Sequence, residues 1–74
     1  MTRLPVVSGR ECIRALERAG FAITRDKSSH VVMKRRDPLA RLTVPDHKRV
    51  NPGTLRGIIR EAGLSVAEFA ELLR

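Results

Sequence analysis

The sequence predicts an α+β sandwich: one helix, a three-stranded antiparallel sheet, a second helix and a short third helix, with the helices covering one face of the sheet. Three observations lead there. Apolar residues recur first at helical intervals, then at alternate positions in three short runs, then at helical intervals again. A Ser or Asn suited to capping precedes each helical stretch. Glycines, or clusters of Asp, Ser and Pro, separate the stretches. With 74 residues and 42% hydrophobic content, the chain suits one domain over residues 1–74, with a small core and no large enclosed active site.

Each element follows from its residues. Ser8 and Glu11 have capping-box spacing, and Cys12, Ile13, Leu16 and Ala19 form one helical stripe before Gly20, which predicts a helix over 9–19. Phe21 and Ile23, Val31 and Met33, and Leu42 and Val44 occupy alternate positions, with turn-prone Asp-Lys-Ser-Ser at 26–29 and Asp37-Pro38 between them. If these apolar residues meet the helices, the strand period sends Thr24, His30, Val32, Lys34, Arg36, Arg41 and Thr43 to the open face. Asn51-Pro52 is a cap with proline at the first helical position, followed by the stripe Leu55, Ile58, Ile59 and Ala62 and then Gly63. Ser65 and Glu68 repeat the capping box, and Phe69, Leu72 and Leu73 supply the third helix.

Charge narrows the partners. Fifteen Lys and Arg against eight Asp and Glu give a net +7, which points to RNA, DNA or an acidic protein, with plain solubility as the alternative. With two Phe, no Trp and no Tyr there is no platform for stacking bases, which argues against RRM, OB and cold-shock folds. The single cysteine excludes a disulfide scaffold, and the lack of Cys/His spacing excludes a zinc finger. No apolar run approaches the ~20 residues of a membrane span, and the first residues lack the apolar region of a signal peptide. The expectation is a cytoplasmic protein with no membrane partner.

His30 and His47 are the candidate proton-transfer groups, since only histidine ordinarily changes charge near neutral pH. Both lie among cations: Arg25, Lys27 and Lys34 to Arg36 for one, Lys48 and Arg49 for the other. RNA scission needs a base for the 2′-hydroxyl and donors for the charge on phosphorus, and a histidine among Lys and Arg supplies both without a metal. A surface histidine at a strand start is the plain alternative. Asp26, Asp37 and Asp46 fall in three separate loops, so no metal site and no cofactor are expected. Cys12 sits on the apolar stripe and reads as core. Lys34 and Arg36 can reach phosphate from the open face while Arg35 turns around the sheet edge, although a solvated strand end would look the same.

Several segments together resemble the HicA-type mRNA interferase toxins over nearly the whole chain. They are Gly20-Phe21, Lys27-Ser-Ser-His30-Val, Val44-Pro45-Asp-His47, Asn51-Pro-Gly-Thr-Leu-Arg56-Gly-Ile-Ile, Glu61-Ala-Gly-Leu-Ser65 and Glu68-Phe69. The resemblance implies a double-stranded-RNA-binding-domain-like fold. It also implies the toxin of a type II toxin-antitoxin pair, which cuts mRNA without the ribosome and is neutralised by a HicB-type antitoxin. His30 matches the family's catalytic histidine. Lys27, Ser29 and Lys34 are then the candidates to hold phosphate or orient the ring, with Arg36, Arg41, His47 and Lys48 as further RNA contacts. The family's usual Gly-Ser-His is here Ser28-Ser29-His30, and a positive φ at Ser28 would cost on the order of 1 kcal/mol. Two other readings stay open: a non-catalytic RNA binder of the same fold, and a helix-turn-helix DNA-binding module over 55–73, which Glu68 and Glu71 disfavour.

Overall fold

Every helix begins where a side chain can satisfy its free N–H groups. In the computed structural model, which describes residues 3–74, Ser8 Oγ accepts from the Glu11 N–H at 3.1 Å and Glu11 Oε1 accepts from the Ser8 N–H at 2.9 Å, opening α1 (Gly9–Arg18). The same reciprocal pair between Ser65 and Glu68 opens α3 (Val66–Leu72). Asn51 Oδ1 accepts from the Gly53 N–H at 2.9 Å, with Pro52 as the first residue of α2 (Pro52–Glu61). The Ser8 hydrogen bonds hold the Glu11 carboxyl below its ordinary pKa. Residues 1 and 2 of the expected domain lie outside the described residues.

Between α1 and α2 run β1 (Ala22–Lys27), β2 (His30–Arg36) and β3 (Leu39–Pro45), in that spatial order and antiparallel throughout. The α+β arrangement is therefore the expected one. Its core joins Cys12, Ile13 and Leu16 of α1 to Val31, Met33, Leu42 and Val44 of the sheet, to Leu55, Ile58 and Ile59 of α2, and to Phe69 of α3. Cys12 is fully buried, and burial pushes its thiol up to about 12. It serves as a small apolar residue and carries no thiolate chemistry.

One strand departs from the expected pattern. Ile23 is 38% exposed and all of β1 is exposed, because β1 is an edge strand and the helices pack on the β3 side. A β-bulge between Ile23 and Arg25 also breaks the alternation. Ile23 lies opposite Met33, whereas Arg25, Asp26 and Lys27 lie opposite Val32, Val31 and His30. Strict alternation from an inward Ile23 would have put Lys27 on the helix side. The extra residue, Thr24, reverses the phase, and Lys27 joins His30 on the open face.

Arg35 does not turn around the sheet edge: in phase with Val31 and Met33 on the central strand, it stays on the helix side at the far end of β2, where it has a structural task. Its guanidinium sits 4.5 Å from the Phe21 ring centroid and donates to the Pro38 and Ala62 carbonyls at 2.9 and 3.0 Å. The second bond satisfies the C-terminal end of α2, where a cation is favoured. Arg18 in turn donates to the Leu72 and Arg74 carbonyls at 2.6 and 2.8 Å, tying α3 to α1. With Phe69 in the core, α3 exposes Glu68 and Glu71, a surface that would repel DNA phosphate. Among the described residues no helix is long and apolar enough to cross a membrane.

Candidate nucleic-acid interface

His30 opens β2, directly after a turn in which Ser28 has φ 45°. That is the left-handed region, so the serine carries the strain of about 1 kcal/mol that a glycine there would avoid. Ser29 Oγ lies 3.2 Å from His30 Nδ1, which occupies one ring nitrogen and leaves Nε2 to solvent. Lys27 and Pro45 are the cross-strand neighbours of His30.

Beside His30 lies an open groove of about 310 Å³ lined by His30, Thr43, Pro45, His47, Asn51 and Thr54. It brings together β2, β3, the loop after β3 and the start of α2. Backbone bonds hold the loop in place. The Asp46 N–H donates to the Ser29 carbonyl at 2.8 Å, and the Gly9 N–H donates to the His47 carbonyl at 2.8 Å. Arg10 reaches the Asp46 carboxylate at 2.9 Å and lies 3.8 Å from that of Asp26. Gly9 is needed here: a Cβ on it would press into the Pro45 carbonyl oxygen and stand 2.8 Å from Asp46 Cα.

A second depression, of about 340 Å³, lies farther along the open face and is lined by Thr24, Arg25, Val32, Lys34 and Arg41. Lys34 and Arg41 are directly opposed across β2 and β3, and Arg36 faces Leu39 beyond them. At roughly 3.3 Å per residue, Lys34 is about 13 Å and Arg36 about 20 Å along the strand from His30. The expected site residues thus divide. Lys27, Ser29 and His47 gather near His30, Lys34 and Arg41 form a cationic middle, and Arg36 marks the far end. Lys48 is exposed in the loop after His47 and lines neither depression. Lys27 and Lys34 therefore stand at different points of the open face, about 13 Å apart along the strand direction.

Asn51 and Thr54 are legible as the start of a helix and as part of the Asn-Pro-Gly-Thr segment that carries the family resemblance, and Thr43 as an open-face residue; their meeting with His30 and His47 is a tertiary fact. Arg25 was visible as a nearby cation, but its place on the open face depends on the bulge. Among the described residues no three His, Cys, Asp or Glu side chains converge as metal ligands would.

Three antiparallel strands backed by helices, with a histidine and a row of cations on the open face, define a small α+β domain of the double-stranded-RNA-binding type. Residues 9–64 match the family model described as the HicA toxin of bacterial toxin-antitoxin systems. The chain belongs to that family and is a toxin of such a system. No curated protein sequence matches it significantly.

Proposed function

We propose that this toxin is an mRNA endoribonuclease that needs neither the ribosome nor a metal ion, with His30 as the general base. One observation carries the reading: His30 stands at the exposed end of β2 with Ser29 on Nδ1 and Lys27 opposite, at the head of a cationic sheet face. With Nδ1–H donating to Ser29 Oγ, Nε2 is free to take the proton of an RNA 2′-hydroxyl. The oxygen then attacks the adjacent phosphorus while Lys27 offsets the growing negative charge. Lys34, Arg41 and Arg36 hold the phosphates of neighbouring nucleotides. Such contacts position the strand and do not read bases.

The partners follow from the same surface. The substrate is mRNA in the cytoplasm. The antitoxin is HicB-type and covers His30 with acidic groups, since complementary charge both blocks the site and speeds encounter. The test is cleavage of a defined RNA in EDTA. The expected product ends in a 2′,3′-cyclic phosphate or 3′-phosphate, a 2′-deoxy residue at the scissile position abolishes cleavage, and His30→Ala removes activity while RNA binding survives. Loss of activity in EDTA refutes the metal-free mechanism, and an active His30→Ala protein refutes the base.

A further inference from the structure

We propose that His47 is the general acid of the same scission, delivering a proton to the 5′-oxygen as that oxygen leaves phosphorus; this rests on the reading of His30 as the base. The two histidines are far apart in sequence but line one groove, and they reach it from different segments, β2 and the loop after β3. The residues immediately before them are bonded to each other, with the Asp46 N–H donating to the Ser29 carbonyl at 2.8 Å, and the His47 carbonyl is held by the Gly9 N–H at 2.8 Å. The backbones that carry the two rings are thus parts of one frame. The neighbouring Asp46 carboxylate is engaged by Arg10.

The chemistry requires two groups. In an in-line displacement the entering 2′-oxygen and the leaving 5′-oxygen lie on opposite sides of phosphorus, so one side chain cannot serve both at once. The P–O2′ bond forms as the P–O5′ bond breaks. The 2′-hydroxyl proton passes to His30, and the proton of the His47 imidazolium passes to O5′. The products are a 2′,3′-cyclic phosphate and a 5′-hydroxyl, and exchange with water returns both rings to their starting states. The remaining polar side chains of the groove, Thr43, Asn51 and Thr54, offer hydrogen bonds but are poor proton donors, whereas histidine can give up a proton near neutral pH.

The test compares two oligoribonucleotides, one with an ordinary scissile phosphodiester and one with sulfur replacing the bridging 5′-oxygen, whose thiolate leaves without protonation. His47→Ala should cut the ordinary RNA about 100-fold more slowly than wild type, or slower still, and should return to within about tenfold of wild type on the sulfur-linked RNA. His47→Gln, which can still donate a hydrogen bond to phosphate, should behave as His47→Ala does. Equal losses on both substrates, or a His47→Gln protein as fast as wild type on ordinary RNA, would overturn the acid and leave the base standing. A His30→Ala protein that cuts ordinary RNA at the wild-type rate would instead overturn the base.

Discussion

Replacing Gly9 by alanine tests how the groove is held together, because local and tertiary effects predict opposite signs. In a helix, alanine is favoured over glycine by up to about 1 kcal/mol, and less at the first position. Here, however, the new methyl would overlap the Pro45 carbonyl oxygen and lie 2.8 Å from Asp46 Cα and 3.1 Å from the His47 nitrogen. All three are backbone atoms, so no side chain can rotate away. Reaching ordinary contact at about 3.4 Å means moving α1 or the loop by about 0.6 Å at Asp46, and by more at Pro45. That shift strains or breaks the Gly9 N–H bond to His47. Overpacking costs about 1–3 kcal/mol and a lost hydrogen bond about 1 kcal/mol. Gly9→Ala should therefore destabilise the fold by about 1–3 kcal/mol, which is a fall in Tm of roughly 6–19 °C for a domain of this size. Thermal unfolding followed by circular dichroism measures it, and cleavage should fall further than stability does as His47 is displaced. Gly57→Ala is the control: a Cβ there meets nothing within 4 Å, so helix propensity alone should raise stability by about 0.5–1 kcal/mol. A Gly9→Ala protein as stable as wild type would show that the close approach of α1 to the loop does not shape the groove.

Ser28→Gly removes the strain at φ 45° but gains chain entropy in the unfolded state, for a net stabilisation of about 0.5 kcal/mol; a fall in Tm would contradict the turn's conformation. Glu11 has a folded-state pKa below its ordinary value of 4.5, so its contribution is present above that value and is lost as pH falls through the lower folded one. Glu11→Gln should flatten the acid limb of Tm against pH, and an unchanged limb would rule the capping carboxylate out as its source. Lys34→Glu with Arg36→Glu should weaken RNA binding and make the salt slope shallower by about two, whatever the RNA sequence; unchanged affinity and slope in filter binding would remove the open face as the RNA surface.

Much of this protein is determined within short stretches of its sequence. Ser8 with Glu11, Ser65 with Glu68, and Asn51-Pro52 are complete helix starts, because the groups that satisfy one another lie within three residues. The alternation in β2 and β3 places Val31, Met33, Leu42 and Val44 inward because both strands lie under helices, and it places His30, Lys34, Arg36, Arg41 and Thr43 outward by the same count. The family, too, is legible in the residues from Gly20 onward.

What only the tertiary structure decided depends on groups that meet from different segments. The bulge at Thr24 is a property of how β1 pairs with β2, and it alone turns Lys27 toward His30; an edge strand with no helix over it carries little apolar signal to reveal its phase. Ile23 is exposed for the same reason. The need for glycine at position 9 comes from the backbone at 45–47, and the place of Arg35 comes from a ring that precedes it and a helix end that follows it, both at a distance in sequence. The groove shared by His30 and His47 is the clearest case. Each histidine can be picked out by its charge and neighbours, but their meeting is set by the Ser29–Asp46 and Gly9–His47 bonds, whose partners lie in different parts of the chain and leave no periodic trace in it.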